Sequence, residues 1–389
     1  MPDVADAEGM SKDMVLRKLQ KEEHGKTRRL WEQIFTEDTP KFLDYYYSVK
    51  TKENEIYVIE EDGAIRSMLH LNPYKMQIGC KTVESHYIVA VATEETYRKR
   101  GYMAKLLKKA MEDMRENGEA FTFLMPAAEA IYYPHGFRFI YRQEQREVSG
   151  KKMEDPKITV ASATLEVCGE LADFANRMLK LRHQVYTLRD FNYYRRLLEE
   201  FRSEDGGMLL VRENEKLVGF FGYGKDEKYE ILEPLFQNGY EEALLHAIYT
   251  LTGDEHTTVH CAGIEESENT RKKPMIMAKI LDIPKMFACM EAKEEMSLSV
   301  RVTDEPGKES LGTFYIRGKE GLEVQQSDLE RESVMRAASF DAEETISIGD
   351  LTSILFGYGD LKEMNLTEHL EEELGKIKPM SKVLLNEVV

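Results

Sequence analysis

Cysteine is scarce in this sequence, and long apolar runs are missing. Four cysteines, Cys80, Cys168, Cys261 and Cys289, lie far apart in 389 residues and form no C-x-x-C pair. This spacing argues against a zinc motif and a disulfide framework, so we expect no metal. No stretch reaches the roughly 18 apolar residues of a membrane helix. The N-terminus lacks the basic and apolar segments of a secretory signal. We therefore expect a cytoplasmic protein with no membrane partner.

Basic residues are outnumbered by acidic ones. The chain has 53 Lys and Arg against 71 Asp and Glu, which gives a net charge of −18. This charge repels a nucleic-acid backbone or an anionic membrane and attracts a cationic amine. Nucleic acid is therefore not an expected partner. A small amine fits the charge, although solubility alone would also explain it.

Length and local composition divide the chain into three predicted domains. At roughly 150 residues per domain, the chain is too long for one ordinary core. A polar, proline-containing stretch follows residue 150, and short alternating strands begin near residue 290. The predicted domains are residues 1–152, 153–288 and 289–389, the last of them an α+β domain.

The first domain is predicted to contain helices, a hairpin and a strand followed by a helix. Apolar residues among charges at 12–36 predict amphipathic helices, and Asp62-Gly63 between apolar runs predicts a β-hairpin. Residues 85–93 predict a strand. After a basic loop, apolar residues from Met103 to Met114 recur with helical spacing.

The second domain is predicted to repeat this order in a weaker form. Residues 170–202 predict a helix, two strands are expected around residues 213–215, and an amphipathic helix is expected near residues 240–253. No basic glycine loop precedes that last helix. We therefore expect the anion site in the first domain only.

The basic loop of the first domain is a candidate anion site. Arg98, Lys99 and Arg100 precede Gly101 at a helix N-terminus, where free N–H groups and the helix dipole favour phosphate. Glycine lets the backbone approach a ligand closely, and three cations can add charge-assisted hydrogen bonds to a pyrophosphate. The alternative is a solvated turn that merely carries cations.

These residues resemble the cofactor motif of GNAT acetyltransferases, R/Q-x-x-G-x-G/A. A strand at 88–92 precedes the motif, and a Tyr-x-x-x-Gly-Phe element, Tyr132 to Phe137, follows it. Met103 stands where the motif has Gly or Ala, so a looser contact to the phosphates is expected there. The resemblance implies acetyl-CoA as cosubstrate and assigns its binding to Val91, Ala92, Thr93, Arg98, Lys99, Arg100, Gly101, Tyr102, Met103 and Ala104.

Over its whole length the chain resembles the enhanced intracellular survival (Eis) family. The segments that carry this resemblance are VATEETYRKRGYMAKLL, IYYPHGF, PMIMAKILD, ISIGDLTSILFGY and LLNEVV. The resemblance implies an α/β and α+β fold, in which a GNAT domain, a degenerate second GNAT domain and a sterol-carrier-like C-terminal domain follow one another. It also implies acetyl transfer to primary amines, including aminoglycosides for some members, and assembly as a hexamer.

Catalysis in this family needs two proton movements and no protein nucleophile, because the amine attacks the thioester directly. The resemblance implies Tyr132 as the general acid. Tyr133 is the competing candidate, and an aromatic ring packed in a turn is the non-catalytic interpretation. The implied base is the α-carboxylate of Val389, whose pKa of about 3.3 to 3.7 suits orienting an amine or a water better than holding a proton. A terminus buried for packing alone is the alternative.

Two other functions fit the same sequence. A non-catalytic GNAT scaffold could bind a ligand in its C-terminal domain, and the departure at Met103 favours that hypothesis. A protein or peptide N-acetyltransferase would present an open groove to its substrate. His256 and His260 are interpreted as structural or exposed residues, not as metal ligands.

Overall fold

The computed structural model describes residues 14–225, 228–253, 255–260, 270–305, 310–327 and 344–387. Within-chain contacts divide the protein into two units. The first unit is residues 1–72 and 88–113, and the second unit is residues 73–87 and 114–389. The domain boundaries predicted after residues 152 and 288 stay predictions.

The first unit is built on strands in the order β1-β2-β3-β4. The turn between β2 and β3 has two left-handed residues, Asp62 at φ 54° and Gly63 at φ 72°. A type I′ hairpin turn requires this pair of conformations, so the predicted hairpin is confirmed. The strands are β1 (Val15–Lys18), β2 (Glu55–Glu61), β3 (Ala64–Ile78) and β4 (Lys81–Thr93), of which β3 from residue 73 and β4 up to residue 87 belong to the second unit.

Three helices complete the first unit. The prediction of helices throughout residues 12–36 is wrong for Val15 and Leu16, because β1 pairs with β2 and Val15 lies opposite Glu60. The helical spacing predicted for the apolar residues from Met103 to Met114 is confirmed, since Leu106, Leu107 and Ala110 lie on the helix and are fully buried. The helices are α1 (Arg28–Ile34), α2 (Pro40–Ser48) and α3 (Tyr102–Glu116).

The second unit contains a sheet in the order β5-β13-β6-β12-β11-β10-β9-β7. Its strands are β5 (Phe121–Leu124), β6 (Arg138–Ser149), β7 (Ile158–Ser162), β9 (Gly207–Glu213), β10 (Lys216–Lys225), β11 (Tyr229–Phe236), β12 (His256–His260) and β13 (Arg271–Ile280). Its helices are α4 (Glu129–Tyr132), α5 (Cys168–Arg182), α6 (Phe191–Ser203), α7 (Glu241–Thr252) and α8 (Ile283–Phe287).

The predicted helix at residues 170–202 is interrupted by a short strand, β8 (Val185–Thr187). β8 pairs with Met76–Ile78 of β3 on one side and with β18 (Val383–Leu384) on the other. These pairings draw the backbone out of the helical path, which the local sequence alone does not predict. The second unit thereby receives a segment from near the end of the chain into its sheet.

The last third of the described chain forms a separate sheet in the order β16-β15-β14-β17. The predicted alternation along β14 is confirmed, since Leu298, Val300 and Val302 are buried. The elements are β14 (Met296–Thr303), β15 (Ser310–Gly318), β16 (Glu323–Gln326), β17 (Thr345–Ser347), α9 (Ile348–Leu355) and α10 (Glu368–Gly375). Across all the described ranges, no helix combines the length and the apolar character needed to cross a membrane.

Candidate active site

Strand β4 carries a left-handed residue, Ala90, with φ 50°. An L-residue in this conformation costs about 1–2 kcal/mol, and within a strand it is typical of a β-bulge that redirects the backbone. The predicted contacts Val91, Ala92 and Thr93 follow directly. The Ser67 hydroxyl donates to the Ala92 carbonyl at 2.9 Å and lies 2.8 Å from the Thr93 hydroxyl. The left-handed conformation of Ala90 could not be predicted from the sequence, because alanine is ordinary in a strand.

The loop before α3 has the backbone of an anion site. Lys99 and Gly101 are left-handed, with φ 62° and 75°, and Arg100 lies between them. Such alternation turns successive N–H groups toward one point. Within the described residues, the backbone N–H groups of residues 99–104 donate to no protein acceptor. A Cβ built on Gly101 would meet open space, so the loop is accessible to an anion.

Arg100 contacts an aromatic ring and a carboxylate of the protein. Its guanidinium lies 4.5 Å from the centre of the Tyr97 ring and 3.8 Å from the buried Glu61 carboxylate. Glu61 also accepts a hydrogen bond from the Tyr102 hydroxyl. Burial and this hydrogen bond raise the pKa of Tyr102, so its side chain stays neutral and anchors the start of α3. The Tyr102 side chain is thus bound to Glu61, whereas its backbone N–H group is available to a ligand.

Arg98 and Lys99 are the more available cations. Both side chains are exposed. Arg98 Nε donates to the Thr93 carbonyl at 3.3 Å, which keeps the side chain near the end of β4. Lys99 has no ion-pair partner within the described residues. Met103 and Ala104 are half-buried in the first turn of α3, where their N–H groups remain unpaired.

Tyr132, at the end of α4 in the second unit, is buried, with 7% of its surface exposed. Its ring meets the Phe137 ring edge-on at 6.0 Å. Within the described residues, no hydrogen-bond partner is found for its hydroxyl. Burial raises the pKa of Tyr132 to about 12, so the phenol is protonated near neutral pH and can donate a proton.

Tyr133 has a different environment, with 43% of its surface exposed. The Arg138 guanidinium lies over its ring at 3.4 Å. Arg138 Nη1 also donates to the carbonyl oxygens of Tyr133 at 3.2 Å and Phe137 at 2.9 Å. Tyr133 therefore supports the turn, and the two neighbouring tyrosines, which the sequence could not separate, differ in burial and in partners.

The turn that carries Tyr132 is supported by the C-terminal part of the chain. Arg138 is buried and lies 3.5 Å from the Glu305 carboxylate and 3.6 Å from that of Asp350. Gly136 is left-handed, with φ 81°, and a Cβ there would come within 3.1 Å of Lys279 and 3.2 Å of Ile348. The sequence did not reveal these contacts, because they join residues far apart in the chain.

Val389, the predicted base, lies outside the described residues, but the segment before it is described up to Glu387. Leu385 is fully buried and Glu387 is 5% exposed. The Asn386 side-chain oxygen accepts hydrogen bonds from the Tyr141 hydroxyl at 3.1 Å and from Gln143 at 3.2 Å. Residues 385–387 therefore pack within the second unit and are hydrogen-bonded to it.

Tyr87 is another buried tyrosine of the second unit. Burial raises the pKa of Tyr87 most, and Tyr74, Glu387 and Tyr132 raise it further.

No group of three or more His, Cys, Asp or Glu residues that could hold a metal occurs within the described ranges. The two histidines noted in the sequence have protein partners. The His256 ring lies 3.0 Å from the Ser149 hydroxyl, and His260 Nδ1 lies 2.9 Å from Gln143 Oε1.

Comparison with known proteins assigns the first part of the chain to a family. The model of the acetyltransferase (GNAT) domain matches residues 15–140. The chain carries a GNAT acetyltransferase domain. The predicted enzyme class, a GNAT-type N-acetyltransferase, is therefore confirmed. No curated protein matches the sequence.

Solved structures extend the likeness to nearly the whole chain. A probable N-acyltransferase from Enterococcus faecalis V583 has a TM-score of 0.80 and 16% identity, with coverage of 97% of this chain and 99% of that one. A GCN5-related N-acetyltransferase from Anabaena variabilis has a TM-score of 0.76 and 15% identity, with coverage of 95% and 98%. Eis1 from Mycobacterium abscessus has a TM-score of 0.66 and 10% identity, with coverage of 97% and 100%. At such identities the likeness establishes the fold, and the predicted resemblance to Eis proteins is confirmed at that level.

Proposed function

We propose that this GNAT acetyltransferase moves the acetyl group of acetyl-CoA to a primary amine on a small polyamine or aminoglycoside-like molecule. The observation that carries the proposal is Tyr132, a side chain with 7% of its surface exposed, whose hydroxyl has no partner within the described residues and stays protonated at neutral pH. Such a phenol is available to donate a proton to a bound molecule.

The N–H groups of residues 99–104 are proposed to bind the pyrophosphate of acetyl-CoA. Arg98 and Lys99 add charge, whereas Arg100 fixes the loop through Tyr97 and Glu61. The left-handed backbone at Ala90 supports the proposal that Val91, Ala92 and Thr93 offer backbone groups to the pantetheine arm. Met103 contributes its N–H group, for which its larger side chain is no obstacle.

In the proposed reaction, the amine nitrogen bonds to the acetyl carbonyl carbon and the carbon–sulfur bond then breaks. The electron pair of that bond leaves with sulfur, and Tyr132 gives the thiolate its proton. The amine loses one proton, and Tyr132 is reprotonated from solvent. No covalent bond to the protein forms, so a Cys or Ser nucleophile is not needed.

The α-carboxylate of Val389 is proposed to orient the amine or a water that takes its proton. The described segment before Val389 supports this role, because Leu385 and Glu387 are buried and the Asn386 side chain is hydrogen-bonded to Tyr141 and Gln143 in the second unit. A carboxylate of ordinary basicity attracts an ammonium group and orders a water better than it holds a proton. The hexameric assembly implied by the resemblance stays a prediction.

Thiol release from acetyl-CoA with a panel of amines tests this proposal. Tyr132→Phe should lower kcat by about 10²-fold or more, because general-acid catalysis contributes 10²–10⁴-fold, while the acetyl-CoA affinity changes little. Tyr133→Phe is the matched control and should keep most activity, since its ring only supports Arg138. Cofactor binding without turnover of any amine would favour a binding scaffold. Activity on peptides alone would favour a protein N-acetyltransferase.

A further inference from the structure

Arg189, between β8 and α6 in the second unit, is a buried charge whose side chain is 0% exposed. Arg189 Nη1 donates to Glu387 Oε1 at 2.9 Å, and Nε donates to Glu233 Oε1 at 3.0 Å. The Tyr193 ring lies 4.2 Å from the guanidinium, and its hydroxyl donates to Glu387 Oε1 at 3.3 Å. A buried cation thus joins one carboxylate of the sheet to one carboxylate of the C-terminal segment.

Arg189 remains charged in this environment. Burial is the largest influence and lowers the pKa of Arg189, but Glu233, Tyr193 and Glu387 together raise it well above its ordinary value. A buried guanidinium that loses one of its carboxylates becomes strongly unfavourable, because its charge is no longer compensated. The contact with Glu387 therefore resists release of the C-terminal segment.

The position of Arg189 is set by the scaffold and not by the segment that it holds. Asn176 of α5 donates to the Arg189 carbonyl at 2.7 Å and accepts from its N–H at 3.0 Å. Nη1 also donates to the Thr187 carbonyl at 2.9 Å. Arg189 is thus a fixed anchor with one charged contact on β11 and one on the segment.

Glu233 reaches Arg189 from an irregular position in β11. Its φ of 48° is left-handed, and the pairing register of β10 and β11 shifts at this point. A bulge of this kind re-aims one side chain. Here it directs a carboxylate toward Arg189, which holds the guanidinium in the orientation that Glu387 meets.

We propose that Arg189 is a positioning residue that holds the C-terminal segment, residues 382–387, through Glu387. The segment is also paired with β8, since Val383 and Leu384 lie opposite Val185 and Tyr186, and Val185 N donates to Lys382 O at 3.2 Å. Glu387 lies two residues before Val389 in the sequence. The importance of this restraint for catalysis rests on the proposed function, in which Val389 orients the amine.

Amide hydrogen exchange of residues 382–387 in the full-length protein tests this inference. Glu387→Gln removes the charge at nearly constant volume and should speed exchange of these amides about tenfold or more, because the buried Arg189 guanidinium loses a compensating charge and the remaining hydrogen bond is weaker. Arg189→Lys keeps the charge but loses the planar guanidinium that donates to several acceptors at once, so it should give an intermediate rate of amide exchange. The matched control is Glu119→Gln, a carboxylate of similar burial paired with His86 at 2.7 Å, which should leave this segment unchanged.

The turnover of the same variants separates the two proposals. Faster exchange together with a lower kcat and an unchanged acetyl-CoA affinity supports both. Faster exchange with full turnover would support Arg189 as the anchor of the segment but would contradict the proposed role of Val389 in orienting the amine. Unchanged exchange in Glu387→Gln would overturn the anchor whatever the activity. Should that variant fail to fold, Glu387→Asp, which retracts the carboxylate by one methylene, allows the same comparison.

Discussion

The segment from β4 to α3 in the first unit and the segment from β11 to α7 in the second share a backbone plan. Each strand carries a non-glycine left-handed residue, Ala90 at φ 50° and Glu233 at φ 48°. Each loop then contains a left-handed glycine before the helix, Gly101 at φ 75° and Gly239 at φ 89°. The two regions differ in the chemistry placed on this plan.

In the first region the N–H groups before α3 are unpaired within the described residues, and the loop is basic. In the second region α7 begins with Glu241 and Glu242, and the Gly239 N–H donates to Glu241 Oε1 at 3.2 Å. The second region therefore supplies its own anion and repels a phosphate. A strand, a glycine turn and a helix are insufficient for a cofactor site when the first turn is acidic.

The largest expected effect comes from reversing the charge of the first loop. Arg98→Glu together with Lys99→Glu should weaken acetyl-CoA binding by about 10²-fold or more, because two charge-assisted contacts are lost and two repulsions are added. Calorimetric titration measures the change. The matched variant of the second region, Glu241→Gln with Glu242→Gln, should bind acetyl-CoA like the unaltered protein. Equal losses in the two variants would contradict the assignment of the site.

The two left-handed strand residues should respond differently to substitution. Glu233→Ala removes a partner of the buried Arg189 and should lower the free energy of unfolding by about 3–5 kcal/mol. Ala90→Gly should change it by less than about 1 kcal/mol, because relief of the left-handed strain offsets the added freedom of the unfolded chain. Denaturant titration of both variants checks the ranking. A small effect of Glu233→Ala would show that the ion cluster contributes little.

Acid should destabilise the first unit through His70. Burial lowers its pKa to about 3, so the unfolded state binds more protons than the folded state below the ordinary pKa of about 6.5. The stability that depends on neutral His70 is full above that pH and is lost as the pH falls toward 3. The loss between pH 7 and pH 5 should be about 2 kcal/mol. His70→Gln should show a pH dependence weaker by this amount in denaturant titrations, and identical pH dependences would exclude a buried neutral histidine.

The smallest effect is expected at the two loop glycines. A Cβ at Gly101 or at Gly239 would meet open space, but both residues are left-handed. Alanine at either position should therefore cost about 1 kcal/mol of stability through backbone strain alone. Thermal unfolding should rank the two variants as equal, whereas acetyl-CoA binding should weaken only for Gly101→Ala. Weaker binding for Gly239→Ala would break the proposed distinction.

Local patterns predicted most of the elements but not the contacts between distant residues. The hairpin at Asp62-Gly63 and the helical period from Met103 depend on neighbouring residues, so the sequence sufficed for them. The strand β8 depends on pairing with β18, and the position of Arg138 depends on Glu305, so neither could be predicted. The motif predicted Tyr132 with Tyr133 as its competitor, and only the three-dimensional structure shows that the two differ in burial and in partners.

Hydrogen exchange with and without acetyl-CoA is the most direct test of where the cofactor binds. The proposed site predicts that acetyl-CoA slows exchange of the amides at residues 99–104, whose N–H groups are unpaired within the described residues. The amides at residues 237–242 should exchange at the same rate with and without the cofactor. Protection at residues 237–242, or no protection at residues 99–104 at saturating acetyl-CoA, would contradict the account.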